Sequence, residues 1–379
     1  KNGKDVTILK LRNDRKHIYK RLISVLTRID HNYVESFIGS YIENSKVTII
    51  TNRCGQPLSN YLQYHSNFDT FSFRPGDRTI LAFKIAEGMS YLHSRRIIHR
   101  NLITSSIYIL RSDDSNDEIY PLICGFRDSR FLKQGSSYAY SEKRTSQAEN
   151  KTHPFFAPEH YDNHTYDEKV DVFAFSGILY ELVTNSAPFS CFDSANVKED
   201  LKAGKRPVIP KTKDTSDDLI NLIKLCWAND SKDRISFDEI IDLMLSKNIV
   251  FPEDKSNEKA VLDFYAKKRI KSYSAQKCIE ILIMIKKDIG KAFQYRFELL
   301  RARSILHSYL YLLRESEYAK TEFLEPEIEE KIEELSDNLE NLSSIVSDSL
   351  EENWIDKLER IKVFQITEGI TKYMSEIHK

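Results

Sequence analysis

Hydrophobic and polar positions alternate along this chain in a way that sorts it into segments. Residues 5–11, DVTILKL, form a β-rich run and predict a strand. Residues 16–29 place Ile18, Leu22, Val25, Leu26 and Ile29 on one face at helical spacing. A second β-rich run, VTIIT, covers 47–51. From about residue 80 to 250 helical spacing dominates, in 79–94, 171–184, 216–228 and 236–246. Two short strand-like pieces, SIYIL at 106–110 and PLICGF at 121–126, lie between the first two of these helices. The pattern changes near 253. PEDKSN, 252–257, predicts a linker, and beyond it nearly every segment reads as helix. There Ile328, Ile332, Leu335, Leu339, Leu342 and Ile345 follow spacings of 4, 3, 4, 3 and 3, close to a heptad seam.

Composition narrows the class. A length of 379 residues suits two domains or three small ones, and 41% hydrophobic with 30% charged residues predicts a soluble globular protein. The net charge of −1 gives no bias toward nucleic acid or an acidic membrane. Cysteines 54, 124, 191, 226 and 278 form no C-x-x-C pair, which argues against a zinc site or a disulfide framework and fits a reducing, cytoplasmic setting. The apolar run ILIMI, 281–285, is too short to span a bilayer, and no signal peptide is visible. The first residue is Lys1 rather than Met, so the chain reads as a piece of a longer product.

Charge also divides the C-terminal helices. Residues 253–320 carry a net +6 and residues 321–379 a net −10. Basic helices followed by acidic ones predict that the two fold back on one another. Such a bundle is either a solvated structure with complementary faces or a dimerising, partner-docking coiled coil. Nucleic acid and membrane are disfavoured as partners, because the acidic helices neutralise the basic ones in cis.

Six stretches carry a resemblance. GMSYLHSRRIIHRNL (88–102), PLICGFRDSR (121–130), FFAPEHY (155–161), DEKVDVFAFSGILYEL (167–182), GKRPVIP (204–210) and CWANDSKDRISFDEI (226–240) occur in the order and spacing of a protein kinase. Together they resemble the serine/threonine branch of the tyrosine-kinase-like group. The resemblance implies an α+β, two-lobed fold with a cleft between the lobes. It divides the chain into a partial small lobe (1–55), a large lobe (56–250), a linker (251–257) and a helical bundle (258–379). NGKDVTILKLR (2–12) is similar to the turn and third strand of the small lobe. The family's first two strands and Gly-rich phosphate loop have no counterpart in these residues, so no backbone cradle for phosphates is expected.

Set against the family's catalytic positions, the sequence departs at each. The H-R-D aspartate, which orients the attacking hydroxyl, falls on Asn101, whose amide accepts no proton near neutral pH. The catalytic-loop lysine falls on Ile103, and the asparagine that holds magnesium falls on Ser106. The D-F-G aspartate, the main metal ligand, falls on Gly125. The nucleotide-positioning lysine falls on Leu9 and its glutamate partner on Leu22, so a charge pair is expected to give way to two packed leucines. Lys10 takes the lysine role only if the strand slips by one residue, which turns it to the other face. Asp128 is the nearest carboxylate that would replace the missing one.

The groups that hold the family's fold are present. Leu26, Phe126 and His99 match its regulatory spine above Asp171. Glu159 and Arg234 match its buried ion pair, Trp227 its buried tryptophan, and Arg100 stands beside His99. Thr7, Thr51, Asn52, Cys54 and Tyr108 fall where the family contacts adenine. The resemblance therefore implies a pseudokinase, with Mg-ATP bound weakly or not at all and no metal. It would act as a signalling scaffold or allosteric module on other proteins, either an active kinase or a second copy joined through 258–379. Two rival readings stand beside it. One is an active or weakly active serine/threonine kinase using displaced residues. The other makes the helical tail a membrane- or partner-binding effector regulated by the kinase-like part. The Ser, Thr and Tyr residues near 136–147 lie in the family's activation segment. They read as phosphorylation candidates that Arg100 would meet, or as a polar surface loop.

Overall fold

The computed structural model describes residues 6–12, 16–43, 46–52, 54–63, 72–111, 118–132, 139–140, 155–162, 165–190, 197–269, 273–292, 311, 314 and 326–348. The chain forms two compact units. The first comprises 1–93, 97–132 and 138–264, and the second 94–96, 133–137 and 265–379. Most of the segment around 136–152, with its phosphorylation candidates, lies outside the described residues, as do Cys191 and 349–379.

The first unit opens with strand β1 (Val6–Arg12), helix α1 (Lys16–Leu26), β2 (Phe37–Glu43) and β3 (Lys46–Asn52). These strands form an antiparallel sheet in the order β1-β3-β2, with Thr7 opposite Thr51 and Leu9 opposite Ile49. A bulge between Phe37 and Gly39 shifts the β2 register. β2 is a strand that the hydrophobic pattern does not announce. It is an edge strand whose side chains stay mostly exposed, so no period-two apolar signal marks it.

Next come β4 (Gln56–Pro57), α2 (Leu58–Gln63), α3 (Asp77–Ser94), β5 (Ile97–Ile98), β6 (Ile107–Arg111), β7 (Ile119–Ile123), β8 (Arg130–Phe131), β9 (Ala139–Tyr140), α4 (Glu159–Asp162), β10 (Thr165–Tyr166), α5 (Lys169–Thr184), α6 (Val197–Lys202), α7 (Asp217–Cys226) and α8 (Phe237–Ser246). The unit thus mixes helices with several small sheets, as the α+β reading expects.

Helix α5 is its centre. Every residue from Val170 to Val183 is buried, which matches a sequence apolar on nearly all sides. Gly177 is required there, because a Cβ at that position would stand 2.7 Å from the Phe155 ring. Its neighbours α7 and α8 start cleanly. Ser216 accepts from Leu219 N–H, and Ser236 forms a full capping box with Glu239.

The stretch read as a linker, 251–257, is instead bound into the first unit. Residues Pro252–Asn257 form a 3-10 helix. Buried Asp254 accepts from Gly76 N–H at 2.7 Å, Thr79 N–H at 2.6 Å and Thr79 Oγ1 at 2.6 Å. Polar composition resembles a linker here because the partners of this carboxylate lie about 175 residues back in the sequence.

The second unit is helical. α9 (Glu258–Lys268) runs into it, followed by α10 (Tyr273–Ala292) and α11 (Pro326–Asp348), which pack on each other. Ile332, Leu335, Leu339 and Leu342 of the predicted seam are buried, as are Cys278, Ile279, Leu282 and Ile285 of α10. The complementary charges meet at Lys277 and Glu340, 2.7 Å apart. Among the described residues no helix is long and apolar enough to cross a membrane.

Candidate functional site

The loop after β5 is organised by one buried carboxylate. Asp171, in the first turn of α5, is fully buried. It accepts from His99 N–H at 2.8 Å, Arg100 N–H at 2.7 Å and the His93 ring at 3.0 Å. Arg100 is held at φ +65°, a left-handed conformation costly for a side-chain-bearing residue, and the bond to Asp171 offsets that cost. Its guanidinium turns inward, 4.6 Å over the Tyr166 ring, with Nη1 donating to Asp128 O. His99 is neutral, because complete burial holds its imidazole below the ordinary histidine range. Its neighbours fix the tautomer: Nε2–H donates to Cys124 O at 2.9 Å, and Nδ1 accepts from Asn101 N–H at 3.3 Å.

Three of the positions aligned with the family's catalytic residues converge around one point. Gly125 takes a left-handed conformation, φ +88°, and a Cβ there would lie 3.4 Å from Ser106 Cβ and 3.8 Å from Asn101 Nδ2. What meets there is a bare backbone, a hydroxyl and an amide. The hydroxyl is already engaged. Ser106 Oγ lies 2.8 Å from the carbonyl oxygens of both Asn101 and Ile103, and it accepts from Ile103 N–H at 3.1 Å. It braces the loop on itself. Asp128 sits in a 3-10 turn with its carbonyl taking both Arg100 and Arg130, 3.1 Å each.

Leu22 is buried, but Leu9 is 44% exposed. The expectation of two packed leucines is therefore corrected: β1 lies at the edge of the described sheet, and of the two leucines only Leu22 is inside. Lys10, next along the strand, points to the opposite face from Leu9 and is exposed. The spine residues Leu26, Phe126 and His99 are all buried, with the Phe126 and His99 rings edge-on at 5.0 Å. Arg21 of α1 ties to this region, its Nη2 donating to Arg127 O at 2.9 Å. Arg234 makes a two-pronged bridge to Glu159 at 2.6 and 2.9 Å, and buried Trp227 stacks obliquely on Tyr180.

Of the five residues expected around adenine, the structure brings four into one neighbourhood. Thr7 Oγ1 accepts from Cys54 N–H at 3.0 Å. Thr51 stands opposite Thr7 across β3 and β1, and half-buried Tyr108 lies near Cys124, Cys54 and Glu35, its hydroxyl held above the usual tyrosine range chiefly by burial. Asn52 instead turns its Oδ1 to Ser36 N–H.

Two residues here escape sequence reasoning, Glu35 and Cys124. A parallel bridge between Val34 and Ile123, flanked by Glu35 N–H to Ile123 O and Ile123 N–H to Tyr33 O at 2.9 Å each, sets Glu35 beside the 124–125 turn. Cys54 and Cys124, 70 residues apart, come to 3.5 Å between sulfurs. The contact holds the Cys54 thiol below its ordinary value and pushes Cys124 well above it, and burial raises Glu35. Sequence spacing carries no sign of this cluster, because its members lie on three separate segments.

Glu181 of α5 is buried, and burial raises its carboxyl from 4.5 to about 7. Its protonated form is the one the fold accommodates. Stability from this group is therefore full below about pH 4.5, falls as pH rises toward 7, and is flat above that. Glu181→Gln is expected to match the parent at pH 5 and to be more stable by about 2–3 kcal/mol at pH 8. Thermal unfolding at the two pH values checks this, and an equal shift at both would count against it.

Comparison with known proteins agrees with the geometry. A family model described as protein tyrosine and serine/threonine kinase matches residues 3–244. The chain is similar to serine/threonine-protein kinase VIK of Arabidopsis thaliana, 30% identical over 240 residues, covering 62% of this chain and 52% of that protein. It is also similar to RGS domain-containing serine/threonine-protein kinase A of Dictyostelium discoideum, 28% identical over 235 residues, covering 62% and 19%. A third relative, serine/threonine-protein kinase CTR1 of Arabidopsis thaliana, is 27% identical over 250 residues, covering 64% and 28%. The chain thus spans between about a fifth and about half of the length of these curated relatives.

Proposed function

Because this chain belongs to the protein tyrosine and serine/threonine kinase family, in its tyrosine-kinase-like group, we propose that it is a pseudokinase, a kinase fold that works by binding rather than by phosphate transfer. The observation that carries this reading is the meeting of Gly125, Asn101 and Ser106 at one point, with the Ser106 hydroxyl spent on its own loop. Phosphoryl transfer rests on positioned charges. Each missing preorganised group costs roughly 10²–10³ in rate, and here the base, both metal ligands and the lysine–glutamate pair are replaced. Nucleotide binding is weak or absent for the same reason, since neither a carboxylate for magnesium nor a lysine for the phosphates stands at those positions.

In this reading the kinase-like unit is a cytoplasmic scaffold or allosteric module. The helices of 258–379 supply contacts to another protein, an active kinase or a second copy, and light scattering after size exclusion separates these two. The decisive experiment on activity incubates the full chain with Mg-ATP and a generic serine/threonine substrate protein. Parallel thermal-shift curves are recorded with and without nucleotide. No phosphate incorporation above background and no change in midpoint are expected. Turnover that disappears in Asp128→Ala would replace this reading with that of a kinase using displaced residues.

A further inference from the structure

Glu35, Cys54 and Cys124 lie on three separate segments, yet their carboxylate oxygen and two sulfurs all fall within 4.8 Å of one another. We propose that these residues bind zinc, as two thiolates and a carboxylate with one tetrahedral position left to water. The proposal stands whether or not the chain transfers phosphate.

Donor chemistry and spacing both fit. Two thiolates with an oxygen favour zinc over magnesium or calcium, which prefer all-oxygen sites. Sulfurs bound at 2.3 Å to a tetrahedral zinc stand about 3.8 Å apart, and here they stand 3.5 Å apart. A sulfur and a carboxylate oxygen on the same zinc stand about 3.5 Å apart, so donors up to 4.8 Å apart have to close by at most about 1.3 Å.

Each ligand is held by its backbone. Cys54 N–H is fixed on Thr7 Oγ1. Cys124 N–H donates to Ser106 O at 2.9 Å, and its carbonyl accepts from His99. Glu35 N–H is tied to Ile123 O. Partial exposure of Glu35 and Cys54 leaves an entry path.

Neither a pair of packed thiols nor a disulfide accounts for the whole cluster. Two core thiols behave as small apolar groups and call for an apolar third neighbour, whereas the third neighbour here is a carboxylate. A disulfide requires the sulfurs to approach to about 2.05 Å. It also requires an oxidant to remove two electrons, and it leaves the Glu35 carboxylate without a task.

The test uses the full 379-residue chain, fully reduced and stripped of metal. Cobalt(II) is titrated in as a spectroscopic substitute and then displaced by zinc. One cobalt per chain is expected, with thiolate-to-metal charge-transfer bands and the visible bands of a tetrahedral site. Cys54→Ser and Cys124→Ser should each abolish the charge-transfer bands, and Glu35→Gln should weaken binding by more than about tenfold. Cys278→Ala, which lies in the other unit, should leave uptake unchanged. In case the cysteine variants fold poorly, alkylation of the unaltered chain read by mass spectrometry gives a second measure. Zinc should protect Cys54 and Cys124 and leave the labelling of Cys278 unchanged. The proposal is overturned if the reduced chain takes up no cobalt, if uptake survives loss of both cysteines, or if zinc protects neither thiol. A Cys54–Cys124 disulfide in the purified protein, without metal uptake after reduction, overturns it too and identifies a redox pair instead.

Discussion

Asp171→Ala is expected to destabilise the first unit by about 4–6 kcal/mol. The fully buried carboxylate satisfies three donors, two backbone N–H groups and the His93 ring. Alanine leaves all three without an acceptor, and a buried unsatisfied polar group costs about 1–3 kcal/mol. The left-handed backbone of Arg100 loses its tether at the same time. A combined loss of about 4–6 kcal/mol approaches the whole stability of an ordinary domain. Circular dichroism through a urea titration measures it. Asp171→Asn keeps one carbonyl oxygen but places an N–H₂ against donors, so its midpoint should fall between those of alanine and the parent. A loss under about 1 kcal/mol for alanine would mean that the loop is held by other contacts.

The second large effect belongs to Glu159. Arg234, whose side chain is completely buried, spends its donors on Glu159, Ala228 O, Lys169 O and Asn229 O, with its plane 4.9 Å from the Phe173 ring. Removing the glutamate leaves a buried cation short of its counter-charge. Glu159→Ala should cost about 3–4 kcal/mol, the lower part of the range for breaking a buried pair, because Glu159 itself is 19% exposed. Removing both charges should cost less than removing the acid alone. In the double variant Glu159→Ala/Arg234→Met part of the loss should return. Equilibrium unfolding of the two singles and the double completes the cycle, and strict additivity would show that the two residues are not energetically coupled.

Both sites are legible in the sequence. Asp171 stands in the first turn of a mostly apolar helix, and Glu159 and Arg234 stand in motifs whose order along the chain identifies the family. The buried helices α3 and α5 are equally plain, since apolar residues at helical spacing say directly what will be enclosed. What the sequence hides is whatever depends on partners far away in the chain. Leu9 is exposed on a strand at the edge of the described sheet, which its own side chain cannot report. Asp254 reads as linker polarity until the N–H groups of Gly76 and Thr79 are placed against it. The cysteines look scattered because ligand-spacing rules detect clusters built from one or two local segments. Here the ends of β3 and β7 do the gathering.

The Asp171 clamp also dictates an order of events during synthesis. His93, His99 and Arg100 leave the ribosome some 70 residues before the carboxylate that receives them, separations of 78, 72 and 71 positions. At about 5–20 residues per second that interval lasts several seconds. Throughout it, α3 and the loop after β5 are complete yet lack the acceptor on which they close, and their apolar surfaces have no α5 to cover them. The nascent chain is therefore most exposed to misfolding and to chaperone capture after residue 100 and before α5 emerges. A stalled chain ending short of residue 171 should be far more protease-sensitive in 77–106 than one released past residue 184.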